Sequence, residues 1–473
     1  MSRHFREKSA AGRTGQSGSV DGAVEMSVSV AVVGAGASGL LAAVTAARAG
    51  AKVLLIDGNP QVGRKLLSTG NGRCNFANRR QDRECYRSEE PEAVWAVLEQ
   101  FPVERVLSFF EESGIRATER NGYYYPYTNA AADVRACLEM EIRRLGIRTA
   151  LGYRVLKIEK ESGRFRLQLV GGANGKLVVS ASSCILATGG QAFPKSGSDG
   201  AGYALAESFG HTVIPVTPAL VELRCNEKFF HRLKGIRLAA GVRLLVDGEP
   251  VARDSGEVQL TERGISGIPV FNVSRYATRA LAENGMGFAS HDLKSAKEKK
   301  IEPPRALHQK RVTAELDLLP ELSAAEAADE LKQRLWNYGW GKSVLEAFCG
   351  LFHPRLSAVL LKRAGVEETA DAAEADERQV KGLAEVCKAF GVSIAGAGGF
   401  DKAQTTAGGV PLSEVDAATL ESVCCKGLYL CGELLDVDGI CGGYNLGWAW
   451  ASGFVCGAAA AKIAAQYVTN DEK

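Results

Sequence analysis

The stretch from Val30 to Asp57 constrains the fold of this chain more than any other segment. A β-branched apolar run leads into the glycine motif GAGASG (Gly34 to Gly39), an alanine-rich helical pattern follows (Leu40 to Ala49), and a second apolar run ends at Asp57. A bare GxGxxG motif is weak, but the order strand, glycine turn, helix, strand and acidic residue is that of a dinucleotide-binding unit. The sequence therefore predicts a doubly wound α/β domain.

Each residue of this turn has a physical role in nucleotide binding. Gly34 permits the tight turn, Gly36 lets a pyrophosphate approach the backbone, and Gly39 lets the helix pack closely on the sheet. The helix N-terminus presents N–H groups and a positive dipole end to the phosphates. Asp57 can accept a hydrogen bond from a ribose hydroxyl, which favours FAD or NAD over NADP. The alternative is a doubly wound turn that binds no nucleotide.

A segment near the end of the chain points to FAD. An apolar strand (427–431) leads into Gly432-Glu433, whose carboxylate can accept from ribityl hydroxyls. Gly442-Gly443 then opens a helix of small residues, and a helix N-terminus there stabilises negative charge on a reduced flavin. Another apolar strand ends in Ala187 to Gly189. The combination predicts that two distant parts of the chain close around one FAD.

The rest of the chain divides into segments that differ in their strand and helix patterns. A length of 473 residues suits two or three domains. Short strand patterns, one of them Pro269 to Ser274, indicate a β-rich insertion. Ser323 and Glu326 have capping-box spacing at the start of a helical region. In chain order we predict a disordered extension (1–25), the first part of the FAD-binding domain (26–214), a β-rich substrate domain (215–320), a helical subdomain (321–395) and the C-terminal part of the FAD-binding domain (396–473).

Composition limits the partners and the cellular compartment that we expect for the protein. A net charge of +2 favours neither nucleic acid nor an anionic membrane as partner. Twelve cysteines without a CxxC pair or a histidine cluster predict no metal site, and indicate a reducing, cytoplasmic location. Residues before Met26, a second candidate start, lack an apolar signal region. The apolar run 448–461 is too short to span a bilayer and predicts a buried helix.

Four long motifs resemble those of the BaiN-like NAD(P)/FAD-dependent oxidoreductase family. They are GRKLLSTGNGRCNFAN (63–78), ILATGG (185–190), TTAGGV (405–410) and CGELLDVDGICGGYNLGWAWASG (431–453). The resemblance extends over about residues 28–466. It implies an α/β fold with a FAD-binding Rossmann-type (glutathione-reductase-like) domain, an inserted β-rich domain and a small helical domain.

The resemblance also implies a cofactor site that runs from the adenine to the flavin. Its members are Val155 at the adenine, Asp57 and Gly58 at the ribose, Ala37 and Ser38 at the pyrophosphate, Arg64, Lys65 and Gly70 along the pyrophosphate and the flavin edge, and Glu433, Asn445 and Leu446 over the ribityl chain and the flavin.

The chemistry expected of FAD is hydride transfer at its N5 atom. The only rival to the first glycine motif, Gly396 to Gly399, is followed by a polar stretch and is interpreted as a loop. NADH or NADPH would therefore dock transiently. The resemblance implies an enone substrate, a 3-oxo-4,6-diene bile acid intermediate, free or as a CoA thioester. The proton donor is unknown; Tyr444 is a candidate because it neighbours the flavin motif, and His353 and Lys342 are candidates by chemistry alone, each against a packing or surface role.

Other functions remain open at this stage. A FAD-dependent oxidase of small amines or hydroxy compounds is one, and a non-catalytic flavin redox sensor is another. An RNA-modifying flavoprotein is a third, and it predicts a basic face with interleaved aromatic residues. The basic segment 294–311 is either a solvated loop or a docking patch for CoA phosphates.

Overall fold

The computed structural model describes residues 24–172, 175–288 and 309–471, and the side chains of the last helix up to Ile463. Most of the predicted extension 1–25 and of the basic segment 294–311 lies outside the described residues. The strands are β1 Val24–Val33, β2 Val53–Asp57, β3 Ala77–Asn78, β4 Tyr86–Arg87, β5 Ala117–Arg120, β6 Tyr123–Pro126, β7 Arg148–Leu151, β8 Tyr153–Glu161, β9 Arg164–Gly171, β10 Lys176–Leu186, β11 Ile214–Ala219, β12 Leu223–Cys225, β13 Arg237–Val246, β14 Glu249–Leu260, β15 Gly264–Ser266, β16 Val312–Asp317, β17 Phe390–Ala397, β18 Thr405–Gly409, β19 Leu428–Leu430 and β20 Asp438–Gly439.

Helices alternate with these strands along the chain. They are α1 Ala37–Arg48, α2 Pro91–Gln100, α3 Val103–Glu112, α4 Ala131–Arg144, α5 Ala201–Glu207, α6 Phe230–Leu233, α7 Ile268–Glu283, α8 Ala324–Lys332, α9 Val344–Ala347, α10 Pro354–Ala364, α11 Glu377–Lys388 and α12 Tyr444–Asp471. Among the described residues, no helix combines the length and the apolar character needed to cross a bilayer.

The main sheet has the strand order β7-β2-β1-β10-β9-β8, with β19 paired to the other part of β10. The strands β7, β2, β1, β10 and β19 run parallel, while β9 pairs antiparallel with both β10 and β8. β10 is one continuous strand, whose first part pairs with β9 and whose last part pairs with β19. The carboxyl ends of β1, β2, β10 and β19 meet at one edge, where open α/β sheets bind ligands.

The last helix, α12, packs directly on α1. A Cβ atom at Gly453 would lie 2.3 Å from the carbonyl oxygen of Ser38, and one at Gly457 would lie 2.4 Å from that of Ala42. Trp450 is fully buried and donates through Nε1 to the carbonyl oxygen of Phe76. The apolar run 448–461 is therefore a buried helix, as the sequence predicts, and glycine is what permits its close approach.

The inserted region forms a closed barrel in the order β12-β15-β14-β13-β16-β17, covered by α7. The predicted strand Pro269 to Ser274 is wrong, because these residues belong to α7. Val270, Val273 and Ala277 are buried at helical spacing, a periodicity that the short window 269–274 does not reveal. β17 closes the barrel, so the end of the segment predicted as helical (321–395) is a strand.

The helical region has its own core. Ser323 caps α8 by accepting from the backbone N–H of Glu326, whose carboxylate accepts from the N–H of Ser323. This capping box is confirmed. The helices α8 to α11 bury a separate apolar cluster, in which Leu335, Phe348 and Leu361 are fully buried.

A group of buried and half-buried charged residues joins the barrel to the α/β body. We call it the charge cluster; it consists of Arg87, Arg275, Arg279, Asp436 and Asp438. Arg275 and Arg279 lie on α7, while the other three belong to the body. Burial raises the pKa of Asp438 to about 6, although Arg275 and Arg87 act to lower it. The interface therefore contains a carboxyl group whose ionisation is costly.

The packing of α12 on α1 yields a test by substitution of single glycines. Gly457→Ala should lower the free energy of unfolding by about 1–3 kcal/mol, because the added methyl group meets the Ala42 carbonyl. Gly382→Ala in α11 is the matched control, since no described heavy atom lies within 4 Å of its Cβ position. It should stabilise by about 0.5–1 kcal/mol through helix propensity. Urea denaturation measures both, and equal effects of the two changes would contradict the packing argument.

The buried carboxyl group makes stability depend on pH in a defined direction. The folded pKa of Asp438, about 6, exceeds its ordinary value of 3.8, so its contribution is fully present below about pH 4 and is lost as the pH rises through 6. Asp438→Asn cannot ionise. Its free energy of unfolding relative to the native protein should rise by about 2–3 kcal/mol between pH 4 and 7.

Denaturation of both proteins across this pH range measures the difference. Asp329→Asn is the control, because the Asp329 side chain is 73% exposed on α8. It should give the same difference from the native protein at every pH. A pH-independent effect of Asp438→Asn would show that folding does not change the pKa of Asp438.

Candidate functional site

The glycine turn after β1 lies where the carboxyl ends of the parallel strands meet. Gly34 has φ +107°, and a Cβ there would lie 2.2 Å from the carbonyl oxygen of Ala187. A Cβ at Gly39 would lie 1.8 Å from the carbonyl oxygen of Gly34. Gly36 differs, because no described heavy atom lies within 4 Å of its Cβ position. The turn is thus tightly packed on the protein side and open at Gly36, which leaves space for a phosphate beside the backbone.

Asp57 at the end of β2 holds this turn in place. Its Oδ2 atom accepts from the backbone N–H of Ala35 at 2.7 Å, and its Oδ1 atom accepts from that of Asn59 at 2.7 Å. Oδ1 also accepts from Nδ2 of Asn59 at 2.9 Å, so Oδ2 is the oxygen that can accept a further hydrogen bond. Asp57 therefore shapes the turn in addition to facing the space where the sequence predicts a ribose.

Two adjoining cavities lie over this edge of the sheet. Their volumes, which include space open to solvent, are about 940 Å³ and about 650 Å³. Five residues line both cavities: Gly34, Asp57, Asn59, Thr188 and Gly197. The result is an elongated cleft, which suits a dinucleotide better than a single compact ligand.

Most of the predicted cofactor residues line this cleft. The larger cavity contains Gly34, Gly36, Ala37, Ser38, Asp57, Arg64, Lys65, Glu433, Asn445 and Leu446. The smaller cavity contains Gly34, Asp57, Gly58 and Val155. Gly58 and Val155 line only the smaller cavity, while Asn445 and Leu446 line only the larger one. The structure thus brings together residues from both ends of the chain.

Four predicted residues are not among those that line the cleft in the described structure. Gly39 packs against Gly34, and a Cβ at Gly432 would lie 2.4 Å from Oγ of Ser38. A Cβ at Gly443 would lie 2.9 Å from Oδ1 of Asn75. Gly70 is exposed in a left-handed conformation with φ +56°. For three of them the physical reason is packing, because glycine allows the walls of the cleft to approach each other.

An ion pair lies in the wall of the larger cavity. Nζ of Lys65 lies 2.7 Å from Oε2 of Glu433. Oε1 of Glu433 accepts from the backbone N–H of Thr406 at 2.9 Å and from its hydroxyl at 2.8 Å. Residues from near the two ends of the chain and from β18 therefore hold one carboxylate at the wall of the cleft. Such charge-assisted hydrogen bonds are stronger than neutral ones.

Sequence reasoning missed several lining residues as members of the site. Asn59 donates through Nδ2 to the carbonyl oxygen of Ser196 at 3.0 Å and accepts from Arg64. The Thr188 hydroxyl is buried without a described hydrogen-bond partner, and it lines both cavities. A buried hydroxyl in that position fits a polar ligand. The signals available were the spacing of Asn59 from Asp57, typical of a side-chain turn, and the Ala187 to Gly189 run.

The three candidates for a proton donor do not line either cavity in the described structure. Tyr444 is buried with its ring edge-on to Tyr86, at a centroid distance of 5.6 Å. His353 caps α10 by accepting from the N–H of Arg355, and Lys342 donates to the carbonyl oxygen of Tyr338. Packing, capping and surface contacts account for the positions of all three side chains, which are the alternative roles that the sequence left open.

The segment Gly396 to Gly399 does not form a second glycine turn before a helix. β17 ends at Ala397, and turns lead from there to β18. The loop interpretation is confirmed for Gly398 and Gly399 only, because Gly396 and Ala397 are the last residues of β17. Among the described residues, no group of three or more His, Cys, Asp or Glu side chains is arranged to hold a metal ion.

Comparison with known proteins identifies a family and relatives that match this chain. The model of the HI0933-like protein Rossmann domain matches residues 28–459. A 3-dehydro-bile acid delta(4,6)-reductase from Clostridium scindens is 40% identical over 92% of this chain and 99% of the relative. A ribosomal RNA dihydrouridine synthase from Haemophilus influenzae is 29% identical over 90% of this chain and 96% of the relative.

A solved structure with a similar outline is the 3-ketosteroid-delta4-(5alpha)-dehydrogenase from Rhodococcus jostii. It is 16% identical, covers 92% of this chain and 97% of its own, and has a TM-score of 0.46. The family assignment does not depend on it, because the sequence matches already extend over nearly the whole chain. The chain therefore belongs to the HI0933-like Rossmann family and, within it, to the BaiN-like oxidoreductases that its motifs resemble.

Proposed function

We propose that this protein is a FAD-dependent reductase of a C=C bond conjugated to a carbonyl group. The observation that carries the proposal is the single elongated cleft in which the glycine turn of β1 and the Glu433 segment meet. The identity of 40% with a bile acid reductase supports the same reaction class. FAD bound in this cleft would supply a hydride donor at its flavin N5 atom.

The residues of the cleft have separate tasks in this proposal. Backbone N–H groups at the start of α1, around Ala37 and Ser38, would bind the pyrophosphate, and Gly36 gives it access. The Glu433 carboxylate, held by Lys65 and Thr406, would accept from ribityl hydroxyls. The Thr188 hydroxyl, which is buried and has no described hydrogen-bond partner, would bind a polar group of the ligand where the two cavities adjoin.

The flavin end of the cleft combines apolar walls with a helix N-terminus. Leu66, Val437 and Leu446 line it, together with the first turn of α12. Apolar walls exclude water and strengthen local electrostatic interactions. The positive end of α12 would stabilise negative charge on the reduced ring.

For the substrate we propose a 3-oxo-4,6-diene steroid acid, in keeping with the name of the Clostridium scindens relative, and we propose that it binds free or as its CoA thioester. We propose NADH or NADPH as a transient electron donor, since the described chain contains one glycine turn of the nucleotide-binding type. A reducing, cytoplasmic setting fits the cysteines, all of which are free thiols.

A second candidate is reduction of uridine in RNA. Two ribosomal RNA dihydrouridine synthases, from Haemophilus influenzae and Escherichia coli, match 90% of this chain. Tyr338 and Trp340 lie on the surface of the helical region, next to Lys342. They are 67% and 84% exposed. Exposed aromatic and basic residues are used to stack and bind bases. The uracil C5=C6 bond is also conjugated to a carbonyl group, so both candidates require the same flavin chemistry.

The two candidates separate in one anaerobic experiment. Protein loaded with FAD is reduced and then mixed with a 3-oxo-4,6-diene steroid acid, with its saturated ketone, with unmodified ribosomal RNA, or with oxygen. We expect the dienone to reoxidise the flavin at least tenfold faster than the other three, measured by stopped-flow absorbance. Faster reoxidation by RNA would favour the second candidate, and by oxygen an oxidase.

The variant Tyr338→Ala/Trp340→Ala is the matched control for this experiment. Both side chains are largely exposed, so their removal should leave the rate with the dienone unchanged within twofold. A loss of tenfold or more with RNA, at an unchanged steroid rate, would mean that these aromatic residues serve an RNA substrate.

Cofactor binding gives a second test. Glu433→Gln keeps the shape of the side chain but removes the charge that pairs with Lys65, so the Kd for FAD should rise about 10–100-fold. Glu315→Gln is the control, because Glu315 pairs with the exposed Arg243 on the barrel. Flavin fluorescence during titration of the apoprotein reports both values. An unchanged Kd for Glu433→Gln would remove Glu433 from the cofactor site.

A further inference from the structure

The charge cluster defined above is unusually poor in hydrogen bonds for a buried group of ions. Arg275 Nε lies 3.2 Å from Oδ1 of Asp438, and Arg279 Nη2 lies 3.6 Å from Oδ1 of Asp436. Both oxygens of Asp438 find no hydrogen-bond partner among the described residues, nor does Nε of Arg275. Buried ion pairs of this kind contribute little net stability. Their presence calls for another role.

The cluster lies directly behind the flavin end of the cleft. Val437, which lines the cleft, stands between the two carboxylates in the chain. Oδ1 of Asp436 accepts from the backbone N–H of Gly408 on β18, and Thr405 at the start of that strand lines the cleft. One layer of residues thus separates the charges from the predicted flavin.

The carboxylates do not neutralise the guanidinium groups completely. The three arginines and two aspartates of the cluster leave one net positive charge when both aspartates are ionised; the charge of Glu89, which also acts on Asp436, is exposed to solvent. The side chains of Asp436 and Asp438 are fully buried, and that of Arg275 is 7% exposed. Charges in a site of low dielectric act more strongly on their neighbours than the same charges in water.

We propose that the charge cluster positions the 436–439 segment and sets the redox potential of the flavin, by stabilising the negative charge that reduction places on the ring. Uptake of two electrons and one proton adds one negative charge to the flavin. A net positive cluster behind the wall lowers the energy of that state and so raises the midpoint potential. This inference rests on the FAD site of the proposed function, and adds Arg275 and Asp438 to it as positioning residues.

A purely structural link between the barrel and the body would act differently. If the cluster were only structural, either substitution would loosen the wall of the cleft, and both would shift the midpoint potential of the flavin in the same direction. An electrostatic role instead predicts shifts of opposite sign, because Arg275→Gln removes a positive charge and Asp438→Asn removes a negative one. The sign of the shift therefore separates the two roles.

The experiment measures the midpoint potential of the FAD-loaded protein at pH 8, where Asp438 is ionised, by equilibration with a dye of known potential. We expect Arg275→Gln to lower the potential, Asp438→Asn to raise it, and the double variant to lie between the two. Arg243→Gln, which removes an exposed charge on the barrel, is the control and should leave the potential unchanged.

Several outcomes overturn the inference. Shifts of the same sign in both single variants, or no shift in either, would leave the cluster a structural link. If Arg275→Gln does not fold, as judged by circular dichroism, Arg279→Gln replaces it, because the Arg279 side chain is 31% exposed and lies at the edge of the cluster. It too should lower the potential.

The measurement also keeps this inference separate from the proposed function, since it uses no organic substrate. Unchanged potentials in flavin-loaded variants would refute the inference and leave the reductase proposal standing. A native protein that binds no flavin would refute both.

Discussion

The close approach of α12 to α1 is the contact on which the site depends. Gly453 and Gly457 allow the two helices to touch through their backbones, and Gly432 lets the Glu433 segment reach Ser38. Both helices therefore begin at the same cleft. The positive N-terminal ends of both helices then face one cleft. This arrangement suits an anionic pyrophosphate at α1 and a reduced flavin at α12. A chain without these glycines could have the same strands and still lack the cleft.

Signals that act over short distances in the chain could be predicted from the sequence. The order of β1, glycine turn and α1 was one, and the capping box of α8 was another, because both depend on residues within a few positions of each other. Most of the cleft also followed from the sequence, since its motifs are long. Asn445 and Lys65 needed the family resemblance, as neither residue type has a spacing that predicts a flavin contact.

Features that depend on pairing between distant residues could not be predicted. β17 closes the barrel by pairing with β12 and β16, across the whole helical region, and nothing in its own sequence specifies those partners. The charge cluster joins Arg87, Arg275 and Asp438, which no local pattern connects. The same holds for Thr188, whose hydroxyl became a candidate ligand only when the structure showed it buried and unpaired in the cleft.

The two groups of relatives suggest how one family serves different substrates. A conjugated dienone of a steroid and the enone-like part of a uracil ring require the same hydride transfer, so the flavin cleft can stay the same while the recognition of the substrate varies. Under the proposed function, recognition of the substrate would fall to the barrel and the helical region, which have their own apolar clusters and are joined where Leu356 and Leu360 of α10 pack into the cluster of the barrel. Because α7 of the barrel contributes two arginines to the charge cluster, a change in the barrel would then reach the wall of the flavin cleft. Substrate choice and flavin reactivity would in this way be coupled through a few charges, which a barrel without α7 would not provide.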